Sequence, residues 1–189
     1  MRKLILGIIL IVGCKEIAPR ETSAYFSLDS LLNKQSELLQ NEDVTLRKRA
    51  IVGNDTASNE IKLDSLGWAN EFEFMRDLDI NKPALIGRYN RKVVDDINSN
   101  LKVIDYSANE DNLRIRKFRI YYLDKPENIR IISAMSKESN SIFKSSKKIK
   151  LEFDEFDGQT VLTSYSLRGY QKMILQDSIV FKVDARLMH

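Results

Sequence analysis

The second half of this sequence alternates apolar and polar residues over successive segments, and this alternation limits the folds that the chain can adopt. The clearest run extends from Ile179 to Leu187, where every second residue is apolar, and a shorter one extends from Ile149 to Phe153. Successive side chains of a β strand point to opposite faces, so these segments would place one face on a core and the other in water. The pattern predicts antiparallel sheet.

Eight candidate strands follow one another after residue 85. They cover residues 87–94, 101–106, 113–123, 129–135, 142–153, 160–167, 170–175 and 179–187. Short segments at 125–127, 157–158 and 176–178 have the composition of turns, which predicts a β meander. Within 113–122 the apolar positions change from odd to even numbers, and one extra residue near Lys117, a β bulge, would account for this change.

Two helices are predicted before these strands. The first begins after the N-cap Ser27, ends near Gln40 and carries a stripe of leucines; the second extends from the N-cap Asp64 to Asp77 and carries Trp68. A leucine stripe could bind a partner, and a lone tryptophan could stack on a sugar or a lipid. Apolar stripes of helices more often pack on a core, and we expect both to do so.

These elements predict an α+β fold in which two N-terminal helices pack on a curved, mainly antiparallel β-meander sheet. A strand over residues 44–52 and a returning strand at 61–63 would lie between the helices. The chain contains only 7 Gly and 3 Pro, so no long flexible linker is expected. Residues 24–189 are predicted to form a single domain with a sizeable core.

The first 14 residues have the pattern of a secretory signal peptide. Arg2 and Lys3 precede an apolar run from Leu4 to Val12, which Gly13 and Cys14 follow. The run is too short to cross a bilayer as a helix, which takes about 20 residues, whereas a charged start and a small residue at the end are typical of a cleaved signal. Cys14 is the only cysteine, so no disulfide can form within the chain.

Residues 11–14, Ile-Val-Gly-Cys, resemble the lipobox of bacterial lipoproteins. Gly13 and Cys14 match that pattern, Ile11 is an accepted substitute for leucine, and Val12 is bulkier than the commonest residue. The resemblance implies cleavage between Gly13 and Cys14, a diacylglyceryl group on the Cys14 sulfur and further acylation of the new amino group. Two or more acyl chains anchor a protein stably to a membrane. The alternative is an ordinary signal peptide or short anchor in which Cys14 has no special role.

The resemblance also implies a location. Residues 1–13 would be a lipoprotein signal peptide and 14–23 a lipid-attached tether, which could extend at most about 30 Å. Lys15 stands where an aspartate would retain such a protein on the inner membrane of a diderm bacterium. Outer-membrane delivery is therefore expected, on the periplasmic side or at the cell surface.

The basic charge of the chain comes largely from this segment. The sequence has 30 basic and 27 acidic residues, and loss of Arg2 and Lys3 with the signal peptide would leave 28 against 27. A nearly neutral exported domain gives no reason to expect a nucleic-acid partner. The predicted partners are the membrane, through acyl chains on Cys14, and an envelope protein or lipid.

Few residues could support catalysis. The only histidine is His189, the last residue, so catalysis by Ser-His-Asp or Cys-His sites and a Cys/His zinc site are excluded in their common forms. We predict no cofactor, no metal and no enzymatic activity. The carboxylates of Glu152, Asp154, Glu155 and Asp157 leave open a Ca²⁺ site or a carboxylate-dependent hydrolase, but their pattern is more typical of a charged strand face that leads into a hairpin.

Basic and aromatic residues alternate in one predicted strand. Arg114, Arg116, Lys117 and Arg119 could together contact anionic lipid head groups or glycan phosphate. The same possibility holds for Lys144, Lys147, Lys148 and Lys150. A solvated strand face is the commoner role of such residues.

Three hypotheses for function follow, in order of preference. The first is a non-enzymatic, lipid-anchored envelope lipoprotein that binds a protein or an envelope component. The second is a carrier of lipid or lipoprotein with an apolar cavity under the curved sheet, and the third is a carboxylate-dependent envelope hydrolase. A large apolar cavity would favour the carrier, whereas a filled core with an exposed apolar patch would favour binding at the surface.

Overall fold

The computed structural model describes residues 25–188, which form a nine-stranded sheet with helices packed on one face. The strands are β1 Thr45–Val52, β2 Asp55–Lys62, β3 Tyr89–Asp95, β4 Lys102–Ala108, β5 Ile115–Tyr122, β6 Ile129–Ser139, β7 Phe143–Phe156, β8 Gln159–Met173 and β9 Ile179–Met188. The helices are α1 Leu28–Gln40, α2 Ser65–Glu71 and α3 Glu73–Arg76, and a 3-10 turn covers Pro83–Leu85. We call the face that the helices cover the helix-side face and the opposite one the outer face.

All neighbouring strands are antiparallel, in the order β2-β1-β9-β8-β7-β6-β5-β4-β3. Strands β3 to β9 form a continuous meander, and β1 joins it by pairing with β9. The β1–β2 hairpin therefore extends the sheet at the edge opposite β3. The predicted α+β class and the mainly antiparallel, curved sheet are confirmed.

The predicted pair of N-terminal helices is not confirmed. The second predicted helix is two short helices, because the backbone of Phe72, at φ −87° and ψ −5°, ends α2 and precedes α3. This break keeps the apolar residues of both helices on the core, and Trp68, Phe72 and Met75 are fully buried. The N-caps Ser27 and Asp64 are confirmed, since their side chains accept hydrogen bonds from the amides of Ser30 and Gly67.

The predicted bulge near Lys117 is confirmed. The register between β5 and β6 shifts between Ile115 and Lys117. The extra residue lets both Ile115 and Phe118 point into the core, where they are 3% and 0% exposed. Local periodicity is therefore sufficient to locate this irregularity.

The predicted break between residues 167 and 170 is wrong, because both segments belong to the single strand β8. Gly169 lies inside this strand, opposite Lys147 on β7 and Phe181 on β9. A Cβ at this position would lie 2.4 Å from the carbonyl oxygen of Ser146 and 2.7 Å from the ring of Phe181. Glycine here permits a close approach of the neighbouring strand and ring, and does not form a turn.

The core lies between the helices and the sheet. Leu28, Leu32 and Leu39 of α1 and Trp68 are buried, and Leu31 and Leu38 are partly buried against the same core, so the core role expected for them is confirmed. One polar side chain, Gln35 of α1, is fully buried with them. Its amide nitrogen donates to the carbonyl of Thr160 (2.8 Å), and its oxygen accepts from the amide of Leu162 (2.7 Å). Thr163 is an extra residue in β8, and the pairing of β8 with β9 begins only after it, at Ser164. Gln35 therefore provides hydrogen bonds to Thr160 and Leu162, which have no partner on β9.

Several predictions concern residues outside those described. They are the signal peptide at 1–13, the lipidation site Cys14, the tether up to residue 23 and the terminal His189. Within residues 25–188, no helix combines the length and the apolar character that a membrane span requires.

Candidate functional site

One end of the sheet extends past the helices and is rich in exposed apolar side chains. We call this surface the apolar end; it consists of Val52, Ile142, Phe143, Tyr170, Met173, Ile174, Leu175, Ile179, Val180 and Phe181. Leu175 is 99% exposed and Val180 is 63% exposed. Single exposed apolar residues are normal, but a contiguous group of them marks an interaction surface.

Hydrogen bonds and strand register show that the apolar end is contiguous. Phe143 is opposite Met173, Tyr170 is opposite Val180, and Val52 is opposite Phe181. The amide of Ile174 donates to the carbonyl of Ile142, and the amide of Gly53 donates to the carbonyl of Val180, each over 2.9 Å. The turns between β1 and β2, β6 and β7, and β8 and β9 therefore lie side by side.

Both faces of the sheet are apolar at this end. Met173, Ile179 and Phe181 lie on the helix-side face, whereas Tyr170 and Val180 lie on the outer face. A shallow pocket of about 250 Å³ lies around Ile142, Phe143, Met173 and Ile174. An apolar end with no buried side suits insertion into an apolar medium better than packing of one face against a partner.

The turn between β8 and β9 holds an unfavourable residue at its tip. Leu175 has φ +62°, a left-handed backbone conformation that residues other than Gly, Asn and Asp rarely adopt. Its side chain is almost fully exposed. Both the backbone strain and the exposure oppose stability in water. Such outliers are concentrated at functional sites, which makes Leu175 a candidate contact residue.

Cationic residues border the apolar end. Lys144 and Lys172 lie directly opposite each other on β7 and β8 and line the pocket named above. Lys147 lies on the helix-side face opposite Gly169. Long lysine side chains can keep their ammonium groups in water or among anionic groups while their methylenes cover apolar surface.

A small cavity lies beneath α3, next to the apolar end. Its volume is about 80 Å³, and its apolar lining includes Phe74, Leu78, Ile149 and Leu167. Sites for small ligands usually enclose about 300–1,000 Å³. This cavity is too small for an acyl chain.

A partly buried polar network fixes α2 to the sheet. The ammonium nitrogen of Lys48 lies 2.7 and 3.1 Å from the two carboxylate oxygens of Glu71, and the hydroxyl of Tyr165 donates to the same carboxylate. Burial, together with this hydrogen bond to Glu71, raises the pKa of Tyr165. We assign this group a positioning role. Sequence reasoning missed it, because the three residues come from separate segments.

The four residues predicted as a basic surface contact lie in two places: Arg114 and Arg116 line one shallow pocket, whereas Lys117 and Arg119 lie on β5. Three arginines bind carboxylates of other segments; the pairs are Arg114 with Asp77 and Glu138, Arg116 with Asp111, and Arg119 with Asp105. Arg114 also donates to the carbonyl of Asp77, at the end of α3, over 2.5 Å. Lys117 and Arg119 lie on the outer face, whereas Arg114 reaches the helices.

The carboxylates near the β7–β8 turn are also engaged. Arg130 lies 3.1 Å from Asp154 and 3.2 Å from Glu155. Hydrogen bonds from Lys150 and Ser164 lower the pKa of Glu152, whereas a catalytic general acid needs a raised pKa. Among residues 25–188, no three His, Cys, Asp or Glu side chains are grouped as metal ligands.

Comparison with known proteins gives little further information. No protein-family model and no curated protein sequence matches the chain. Among solved structures, the chain is similar to the crystal structure of a LolA superfamily protein from Nitrosomonas europaea, with 11% identity over 86% of this chain and 93% of that one. The TM-score is 0.28, and a value of this size does not establish a common fold.

Proposed function

We propose that this chain is a non-enzymatic, lipid-anchored protein of the cell envelope that binds lipid through its apolar end. The observation that carries this proposal is the meeting of three turns, all bearing exposed apolar side chains, at a position bordered by lysines. The lipobox-like segment ending at Cys14 supports the anchor and the location, which is expected to be the outer membrane.

The energetics favour an apolar medium around this end. Full burial of a Leu, Ile or Met side chain contributes about 1.5–3 kcal/mol. The apolar end offers several such side chains at the tips of turns, among them Ile142, Ile174 and Leu175. A lysine close to an anionic lipid surface contributes about 1 kcal/mol, and Lys144 and Lys172 are placed to do so. Acyl chains and anionic head groups are therefore the ligand chemistry that fits best.

Vesicle binding tests this proposal. The protein to be tested starts at residue 14 and carries Cys14→Ser, so it lacks the proposed anchor and retains the described fold. We expect it to sediment with vesicles of phosphatidylethanolamine and phosphatidylglycerol. The double variant Ile174→Ser/Leu175→Ser should bind about tenfold or more weakly, since it loses two inserted side chains and each 1.4 kcal/mol is a factor of ten.

A matched control comes from the far side of the molecule. Ile97 is 95% exposed in the turn between β3 and β4, away from the apolar end. Ile97→Ser should leave vesicle binding unchanged. Equal binding by the double variant and the parent chain would refute the proposal, as would equal losses in the double variant and the control.

A lipid carrier is the second candidate, and one observation favours it. Leu167 and Val183 continue the apolar surface from Phe181 towards the cavity beneath α3, and both are only partly buried. An acyl chain could follow this stripe if α3 moved outward. Mass spectrometry of the Cys14→Ser chain, purified without detergent, should then detect bound lipid; lipid-free protein that still binds vesicles would favour surface binding alone.

A further inference from the structure

The outer face carries an open groove lined by cations. The groove has a volume of about 530 Å³ and crosses β1, β9, β8 and β7. Its cationic lining consists of Arg47, Arg49, Lys150, Arg168 and Arg186, and its carboxylates are Glu152 and Asp184. We call this surface the outer groove. It lies on the face opposite the helices, and its floor includes the core residues Tyr165 and Ala185.

The strand register brings like charges directly opposite one another here. Arg47 on β1 faces Arg186 on β9. Two rows further along the same face, Lys148, Arg168 and Lys182 occupy opposite positions on three successive strands. In the row between, Arg49 faces the carboxylate residue Asp184. Like charges directly opposite in an antiparallel pair destabilise the sheet. The fold itself therefore gives no reason for this arrangement, whereas an anionic ligand would.

The carboxylates of the groove neutralise only part of this charge. Glu152 is bound by Lys150 and by the hydroxyl of Ser164 (2.5 Å). Asp184 lies 2.6 Å from the ammonium of Lys182 and 3.9 Å from Arg168.

The arginines of the groove differ in how they are paired. Arg47 is 2.5 Å from Glu60. Within residues 25–188, Arg49 and Arg186 have no carboxylate at ion-pair distance. The positive charge of Arg186 helps to lower the pKa of Glu152, without a hydrogen bond between the two side chains.

Two exposed, unpaired arginines in a groove are suited to oxyanions. A guanidinium group presents paired donors that match two oxygens of a phosphate group. Arg49 and Arg186 lie on the neighbouring strands β1 and β9, on the same face, near the hydroxyl of Ser166 on β8. We propose that the outer groove binds a phosphate group, carried either by a lipid head group or by a soluble phosphate ester, with Arg49 and Arg186 as its principal contacts.

This site is separate from the apolar end. The two surfaces share no residue. Arg186 is six residues from Val180 along β9, about 20 Å at the rise of a strand, and Arg49 is three residues from Val52 along β1, about 10 Å. The proposal therefore does not depend on the proposed function. Ile174→Ser/Leu175→Ser should lose vesicle binding and retain phosphate binding, so failure of one proposal can be distinguished from failure of the other.

Calorimetric titration with pyrophosphate, using the Cys14→Ser chain, tests the outer groove. We expect saturable binding that weakens at high salt, and at least about a tenfold loss in Arg49→Gln/Arg186→Gln. The control is Arg91→Gln/Lys92→Gln, which removes two exposed charges from the edge strand β3. Its affinity should be unchanged.

Comparison of two probes, pyrophosphate and vesicles, identifies the source of the phosphate group. If pyrophosphate binds the parent chain, the groove accepts soluble phosphate. If only vesicles containing phosphatidylglycerol bind, and Arg49→Gln/Arg186→Gln weakens that binding more than Arg91→Gln/Lys92→Gln does, the head group is the ligand. The proposal is overturned if neither probe binds, or if both double variants lose affinity equally, since binding would then be only a response to net charge.

Discussion

At the scale of single residues, Gln35 supplies two hydrogen bonds that a neighbouring strand would otherwise provide to β8. Its side chain is fully buried and satisfies one carbonyl and one amide of β8 just before the bulge at Thr163. Buried polar groups that lose their partners cost about 1–3 kcal/mol each. The stability of the contact between α1 and β8 therefore depends strongly on one amide group.

Replacing Gln35 by leucine should lower the free energy of unfolding by about 2–4 kcal/mol, because two backbone groups would remain buried without partners. Urea denaturation followed by the fluorescence of Trp68, the only tryptophan, measures this change. Lys34→Leu is the control, since Lys34 is exposed on the same helix and surface substitutions usually change stability by less than about 0.5 kcal/mol. Similar losses in the two variants would contradict the assigned role.

At the scale of elements, α2 is held on the sheet by the network of Lys48, Glu71 and Tyr165. The raised pKa of Tyr165 has a defined consequence for stability. An unfolded tyrosine loses its proton near pH 10, whereas the folded protein keeps it to a higher pH. The stabilisation is therefore complete below about pH 10 and is lost as the pH rises above that value.

Tyr165→Phe should remove this part of the alkaline destabilisation. We expect the unfolding free energy of the parent chain to fall more steeply above pH 10 than that of the variant, in urea titrations at several pH values. Lysine side chains in general also lose their protons in this range, so the difference between the two chains is the informative quantity. Tyr170→Phe, at an exposed position, should retain the steeper slope of the parent; identical slopes in the parent and Tyr165→Phe would contradict the role of the buried hydroxyl.

Element boundaries also show that the structural role of a residue depends on its neighbours in the fold. Arg168-Gly169 has the composition of a break, yet β8 continues through it, because Gly169 accommodates Phe181 from β9 and the carbonyl of Ser146 from β7. Asp157-Gly158, in contrast, forms the turn that its composition predicts, and both residues have positive φ, as a two-residue hairpin requires. Composition alone does not distinguish a turn glycine from a packing glycine.

At the scale of the whole molecule, the helices and the sheet share one core. Trp68 from α2 and Leu46, Ile132 and Leu151 from three strands belong to the same buried cluster. Neither layer could bury its apolar face without the other. The two layers are therefore expected to unfold together.

Equilibrium unfolding tests this expectation. Fluorescence of Trp68 reports on the helix layer, and far-ultraviolet circular dichroism reports mainly on the sheet. The two urea transitions of the Cys14→Ser chain should have the same midpoint and slope, as for a two-state transition. Separate midpoints would show that the helices detach before the sheet unfolds, which would instead suit a carrier whose α3 moves.

The sequence by itself determined the features that depend on near neighbours along the chain. Alternation located most of the strands, a change of its parity located the bulge near Lys117, and capping residues located the starts of α1 and α2. These signals are readable because side-chain direction along a strand or a helix repeats with a fixed local period. The lipobox-like segment is likewise local, and the anchor on Cys14 stays a prediction.

Only the tertiary structure decided which distant segments of the chain lie next to each other. The pairing of β1 with β9 joins residues that are more than 100 positions apart, and it creates both candidate surfaces. The apolar end combines turns near residues 52, 142 and 175, and the outer groove combines Arg49 with Arg186. Alternation states which face a side chain occupies, but it does not state which strand lies beside it. That choice depends on the register of the whole sheet and the packing of its core, which no local pattern contains.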